Sequence, residues 1–249
     1  MNQYSLFEQL HKQPHPFVIG NAWNAHSAKL FAQNGYQAIA TSSGAVANTL
    51  GYGDGEAISF NDLLFVVKHI VQSVTLPVSV DMERGYGSSV TGIVHNLQQL
   101  HELGVAGINL EDSTNEKTLD DCTAFAYKLS DIRNRLEKQN IPLYINARTD
   151  AFLVDHPDAL AITLERAKVY ESAGASGLFV PFTTNIHHIQ AITAATTLPV
   201  NVLYNAAMPS FAELTAAGVK RISLGMSAFR ATYAHAATWM QQIKTTYTP

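Results

Sequence analysis

Short apolar runs alternate with longer segments of helical periodicity along the whole chain, and the runs are of two kinds. One kind opens at a proline: "HPFVIGNAW" from His15, "LPVSVDMER" from Leu76, "IPLYINART" from Ile141 and "LPVNVLYNA" from Leu198. The other follows a glycine: "NGYQAIATSS" at Gly35, "LGVAGINLED" at Gly104, "AGASGLFVPF" at Gly174 and "AGVKRISLGM" at Gly218. Proline is tolerated at a strand's first residue, where its missing N–H falls outside the ladder, and glycine after a helix supplies a left-handed cap.

The two kinds alternate strictly, and the spacing predicts helices over about 24–34, 59–73, 89–103, 118–139, 157–173, 185–195, 209–217 and 226–245. Eight strand–helix repeats, with strands apolar enough to be covered on the outside, predict an α/β fold: one (β/α)8 TIM barrel domain over residues 1–249. A doubly wound open sheet is the competing architecture, but no glycine-rich dinucleotide loop follows the first strand.

Composition narrows the function classes. A formal charge of −4, without a run of lysines or arginines, gives no electrostatic footprint for nucleic acid or an anionic membrane. A single cysteine, Cys122, excludes an internal disulfide framework and a cysteine-based zinc cluster, which suits a reducing cytosol. The N-terminal stretch is polar, and no apolar stretch reaches the roughly 18 residues that a membrane span needs. These readings predict a cytoplasmic protein with a small-molecule partner.

In a barrel of this kind the chemistry sits at the C-terminal strand ends, which makes their polar residues the candidates. Strand three ends in Asp81 and Glu83, strand four in Asn109, Glu111 and Asp112, strand five in Asn146, Arg148, Thr149 and Asp150. Alternation along a strand puts Asp81 with Glu83, Asn109 with Glu111, and Asn146 with Arg148 on common faces. Three acids, Asp81, Glu83 and Glu111, and Arg148 are thus predicted to converge on one mouth. Crowded carboxylates repel unless a proton or cation lies among them, and hard oxygen ligands favour Mg²⁺ or Mn²⁺. A cation beside Arg148 suits a doubly anionic substrate, for instance one whose carboxylate and 2-oxo group chelate the ion. In "TSSGAVANTLGYGDGE", residues 41–56, small residues let the backbone approach an oxyanion, and Asp54 sits in a glycine-flanked loop able to reach over the mouth.

The stretches "NAWNAHSAKLFAQNGYQAIATSSGAVANTLGYGDG", "VDMERGYGS", "GINLEDS" and "INARTDAF", in this order and spacing, resemble the isocitrate lyase/phosphoenolpyruvate mutase superfamily from about Asn21 to Arg230. The resemblance implies a Mg²⁺-binding barrel that makes or breaks a bond beside the α-carbon of pyruvate-like acids through an enolate. It makes Asp81 the direct metal ligand, with Glu83 and Glu111 holding the metal's waters. Ser42, Ser43 and Gly44 fall on the loop that binds the pyruvate carboxylate, Arg148 on a substrate-contacting arginine, and Asp54 on an aspartate near the metal. Arg148, Asp54 and Glu111 are the catalytic candidates, and Trp23 and Asn201 are further substrate-binding candidates. A homo-oligomer, dimer or tetramer, is implied as well, and "AFRATYAHAATWM" carries more apolar positions than one packed face requires.

The chain departs from the superfamily in places. Several members read Asp-x-Asp where this chain reads Asp81-Met82-Glu83. The lyase branch carries a Lys-Lys/Arg-Cys-Gly-His loop after strand four; here the segment is "EDSTNEKTLDDCTAFAYK", and Cys122 reads as a helix residue. The mutase and phosphonate-hydrolase branches carry a lysine- and asparagine-rich loop in this place and a histidine after strand six. This chain offers only Asn115 and Lys117, and then Pro181-Phe182. The expected activity is therefore C–C cleavage of a small 2-oxo or 2-hydroxy (di)carboxylate, by a lyase, decarboxylase or acyl hydrolase. C–P bond chemistry and a non-catalytic anion-binding barrel are the alternatives.

Overall fold

The computed structural model describes residues 2–114 and 118–247, so Asn115 and Lys117 lie outside the described residues. Eight parallel strands close into a barrel in sequence order: β1 (Phe17–Ala22), β2 (Ile39–Thr41), β3 (Val78–Asp81), β4 (Gly107–Glu111), β5 (Tyr144–Arg148), β6 (Gly177–Val180), β7 (Val200–Leu203) and β8 (Arg221–Ser223). The ring is closed by β8 against β1, with Val18 opposite Ile222. Each strand follows its predicted punctuation. All four helix-ending glycines, Gly35, Gly104, Gly174 and Gly218, adopt φ between 80° and 94°, the left-handed region where a side chain is strained.

Among the described residues, ten helices surround or cap the strands: α1 (Gln3–Leu10), α2 (Ala25–Gln33), α3 (Ser43–Thr49), α4 (Phe60–Ser73), α5 (Val90–Glu102), α6 (Cys122–Lys138), α7 (Ala159–Ser172), α8 (Ile186–Ala195), α9 (Phe211–Ala216) and α10 (Ser227–Tyr247). Eight of them match the predicted segments. Helix α6 starts four residues later than predicted, because Leu119 forms an antiparallel bridge with Ser113 and Asp121 caps the helix by accepting the Ala124 N–H at 2.9 Å. Two helices are additions to the sequence reading. The short α3 follows β2 directly, with Ser42 as its N-cap. The N-terminal α1 lies across the N-terminal end of the barrel, where Phe7 is fully buried against Phe17 and Tyr144, 6.3 and 5.4 Å away between ring centroids.

Under α1 the barrel floor carries an unusual pair. His11 stacks on Tyr144 at 4.1 Å and its Nδ1 meets the Phe7 carbonyl at 2.8 Å. Arg221 is completely buried, with its guanidinium carbon 5.7 Å from the Phe7 ring. Burial, then the charge of Arg221, push the His11 pKa from 6.5 down to about 3. Its neutral form is therefore the folded form. The contribution of this group to stability is complete above the unfolded pKa of 6.5 and is lost as pH falls toward 3, because the unfolded chain takes up a proton that the folded chain refuses. At pH 5 the loss relative to pH 8 is expected to be about 2 kcal/mol. Urea titrations of wild type and His11→Gln at both pH values read this term as the difference in acid sensitivity, which should be smaller in the variant.

Each helix from α1 to α9 buries at least one residue, whereas α10 contributes no buried residue over its 21 positions, and Trp239 and Met240 are 56% and 62% exposed. Among the described residues, no helix is long and apolar enough to cross a membrane.

Candidate active site

A cavity of about 290 Å³ opens at the C-terminal end of the barrel. Its wall includes Ser42, Ser43, Gly44, Asp54, Asp81 and Arg148, so six of the sequence candidates meet there. Asp81 is fixed first. Its backbone N–H donates to Thr41 Oγ1 at 2.8 Å, and its Oδ2 accepts from Ser43 Oγ at 3.0 Å. Its Oδ1 is buried and has no hydrogen-bond partner in the protein. Burial, reinforced by the charge of Asp54 and opposed by Arg148, raises the Asp81 pKa above the ordinary carboxylate range. A Cβ at Gly44 would stand 2.9 Å from both Asp54 Oδ2 and Met226 Sδ, so a side chain there requires these two to shift.

Arg148, at the end of β5, is held between two acids: Nη1 lies 2.8 Å from Glu111 Oε2 and Nε 2.6 Å from Asp150 Oδ1. Burial works against its charge, but Glu111, Asp150 and Asp81 together raise its pKa further. Glu111 faces Arg148 from β4, and the register Glu111 opposite Arg148 explains the pairing. Burial pushes the Glu111 pKa up, against the pull of Arg148 and with the help of Asp150, Asp81 and Glu83.

Glu83 reaches this neighbourhood by a different route from the one predicted. β3 ends at Asp81, and the chain turns at once, with the Gly85 N–H donating to the Met82 carbonyl at 2.6 Å. Glu83 has φ 47°, so strand alternation does not set its direction. It is placed instead by a reciprocal clamp between two loops. Glu83 accepts from the Glu56 N–H at 2.5 Å and from the Tyr86 hydroxyl at 2.7 Å. Glu56 in turn accepts the N–H groups of Arg84 and Tyr86 at 3.1 and 2.8 Å and pairs with the Arg84 guanidinium at 3.0 Å. Glu56, Glu83 and Tyr86 all have positive φ, strain that the clamp sustains. Burial, and then the charges of Asp81 and Asp54, outweigh the Tyr86 hydrogen bond and raise the Glu83 pKa to about 7.

Two substrate-binding candidates lie elsewhere. Trp23 lines a lateral groove between α2 and α10, edge-on to Phe229 with centroids 5.3 Å apart. Asn201 sits one layer below the cavity wall, with its amide hydrogen-bonded to Ser223 Oγ at 3.0 Å. Asp112 also turns away, toward the helices, where its Oδ2 accepts from Arg166 and from the Tyr170 hydroxyl, both at 2.6 Å. Cys122 is the first residue of α6, and burial raises its thiol pKa. Sequence reasoning missed Phe179, Phe182, Tyr204, Met226 and Arg230 on the cavity wall. Only Phe179 had a usable signal, its parity along β6.

The donor set suits a hard divalent cation. An orphaned, buried carboxylate oxygen on Asp81 stands among acids whose pKa values are raised, a state that a cation relieves. Among the described residues no three His, Cys, Asp or Glu side chains converge on one point as direct ligands. One direct carboxylate with remaining positions left to water and ligand oxygens is the Mg²⁺ pattern.

The barrel with these acids at its mouth agrees with the comparisons. The family described as phosphoenolpyruvate phosphomutase matches residues 7–244, and the chain belongs to it, within the isocitrate lyase/phosphoenolpyruvate mutase superfamily of enzymes. The 2-methylisocitrate lyase of Escherichia coli K12 is 32% identical over 227 residues, 87% of this chain and 76% of that protein. A crystal structure from Burkholderia cenocepacia J2315, provisionally named a phosphonomutase, is 36% identical with a TM-score of 0.91 over 96% of this chain and 99% of that one. A phosphonopyruvate hydrolase in complex with oxalate and Mg²⁺ shares the fold at 20% identity, with a TM-score of 0.86 over 98% of this chain and 87% of that one.

Proposed function

We propose that the protein is a Mg²⁺-dependent lyase that cleaves a C–C bond in a small 2-oxo or 2-hydroxy carboxylic acid through an enolate: a 2-oxo acid leaves the pyruvate-type enolate itself, whereas a 2-hydroxy acid loses its hydroxyl proton, becomes the 2-oxo product and leaves the electron pair as an enolate on the other fragment. The observation that carries this reading is Asp81 Oδ1, a buried acceptor without a protein partner on the wall of a cavity shared with Ser42, Ser43, Gly44 and Arg148. In it, Asp81 is the direct ligand, and Glu83 and Glu111 hold water around the ion. When bound, the ion polarises a chelating carboxylate and 2-oxo group. Ser42, Ser43 and Gly44 receive the substrate carboxylate. With a 2-oxo acid, Arg148, kept cationic by Glu111 and Asp150, stands where negative charge develops on the 2-oxo oxygen as the neighbouring bond breaks and its electron pair enters the enolate; with a 2-hydroxy acid it stands beside the alkoxide that collapses to the 2-oxo group. Asp54 stands on the cavity wall beside Gly44, at the solvent-exposed edge of the mouth. The cavity volume, near the lower limit for ligand pockets, suits a small organic acid.

The names of the E. coli relative and of the oxalate–Mg²⁺ structure support this reading, and the thiol of Cys122, held protonated, argues against the cysteine-based acid/base of the lyase branch. The solvent-exposed α10 supports a homo-oligomer in which this helix is covered by another copy.

The test is a pyruvate-release assay on oxaloacetate, methylisocitrate, alkyl-substituted malates and phosphonopyruvate, with Mg²⁺ and with EDTA. Pyruvate is expected from at least one of the all-carbon substrates, and only with Mg²⁺. Turnover of phosphonopyruvate alone would assign C–P chemistry. No turnover of any of them would leave an anion-binding barrel.

A further inference from the structure

Beneath the cavity, the barrel interior holds polar groups that the chemistry above does not use. Ser223, Arg148 and Asp81 line the cavity, so alternation along their strands turns Arg221, Tyr144 and Ser79 inward as well, at lower levels of the barrel. These three gather around Phe7, the α1 residue on the barrel floor. The Arg221 guanidinium carbon lies 5.7 Å from the Phe7 ring and the Tyr144 ring 5.4 Å from it between centroids. Gly107 is opposite both Ser79 and Tyr144, and a Cβ there would stand 3.0 Å from Phe7 Cε1.

All three side chains are buried, at 0%, 2% and 1% exposure for Arg221, Tyr144 and Ser79. Among the described residues, Arg221 Nε, Nη1 and Nη2, the Tyr144 hydroxyl and Ser79 Oγ have no hydrogen-bond partner, so no carboxylate bonds to this guanidinium. His11 Nε2 also lacks a partner, but Nδ1 donates to the Phe7 carbonyl, which leaves Nε2 a lone pair in the neutral ring and outside this donor set. Burial lowers the Arg221 pKa from 12.5 to about 10, opposed by Tyr144 and Asp81, and the side chain stays cationic at neutral pH. Water would satisfy these donors and leave the buried charge uncompensated, whereas an anion does both.

We infer that the barrel floor binds a monatomic anion of the halide class, chloride above all, held by the Arg221 guanidinium and the Tyr144 and Ser79 hydroxyls. The interior there is narrow, since a Cβ at Gly177 would collide with the Tyr144 hydroxyl, and this favours a single atom over a carboxylate or phosphate. Such an ion ties β3, β5 and β8 together under the floor, and its binding is independent of the reaction proposed above.

The experiment has two arms. Thermal melts of wild type, Tyr144→Phe and Arg221→Met run from about 1 to about 100 mM chloride, with gluconate holding the ionic strength constant. Wild type is expected to gain about 3–5 °C for each tenfold rise in chloride above the dissociation constant, Tyr144→Phe less, and Arg221→Met nothing. In the second arm, wild-type crystals grown from bromide are measured at the bromine edge, and at long wavelength for retained chloride. Anomalous density is expected within reach of the Arg221 guanidinium. Its absence overturns the site and leaves the donors to water, and this arm decides alone if Arg221→Met does not fold. A flat wild-type series also overturns it, as does a chloride dependence that persists undiminished in Arg221→Met, which would put the stabilising ion elsewhere.

Discussion

Alanine at Asp81 is expected to lower kcat/KM by at least about 10³-fold, close to 4 kcal/mol of transition-state stabilisation, with the fold retained. The size follows from what the side chain does. Among the described residues, its Oδ1 is the one buried side-chain acceptor on the cavity wall that no protein donor satisfies, and its Oδ2 orders Ser43. Removing it eliminates the direct ligand and releases the serine that faces the substrate carboxylate. The fold should survive because the unbound carboxylate is itself costly: burial and Asp54 raise its pKa, so its loss relieves repulsion. Steady-state kinetics over a Mg²⁺ series, together with a thermal melt, separate the two effects. Near-normal turnover in this variant would remove Asp81 from the mechanism.

The largest stability effect is expected at Asp112. Its carboxylate is fully buried and receives Arg166 and Tyr170 on one oxygen and the Asp150 N–H at 2.9 Å on the other. Arg166 is 7% exposed and also donates to the Asp120 carbonyl at 2.6 Å, which ties the loop before α6 to α7. Asp112→Ala leaves this guanidinium buried and unpaired, for which a cost of about 3–5 kcal/mol is expected. Replacing both partners, Asp112→Leu with Arg166→Met, should recover much of that loss, since an apolar pair of similar volume avoids the desolvation of both charges. Urea midpoints for the single and double variants measure the difference. The damage should extend to the site, because Asp150, positioned by Asp112, is one of the two acids that hold Arg148.

The barrel was legible because its signals are local. A proline or glycine at each strand start, and apolar spacing between them, mark each unit without reference to the others. The N-terminal α1 lacks such a mark, and its function is to cover the barrel floor, a surface that exists only after the strands close. Its signal was present but faint: Asn2 as a cap and Phe7 between Tyr4 and Leu10 at helical spacing. At the site, residues at strand ends were found because register carries them to one mouth. Strand alternation failed for Glu83 because the chain had already left the strand, and it is the Glu56–Arg84–Tyr86 clamp that places this carboxylate. Trp23 and Asn201 lie off the cavity wall because neighbours, Phe229 and Ser223, set where their side chains go. Arg230, Phe182 and Tyr204 belong to separate loops and a helix start that meet only in three dimensions, so no spacing in the chain announces them.

The claim on which the proposed chemistry depends is a divalent cation bound through Asp81 and completed by a chelating acid. Oxalate, which imitates a chelated enolate, measures it by calorimetry on wild type and Asp81→Ala, each with Mg²⁺ and after EDTA. Binding is predicted for wild type with Mg²⁺ and for none of the other three conditions. Equal binding to metal-free Asp81→Ala would contradict it.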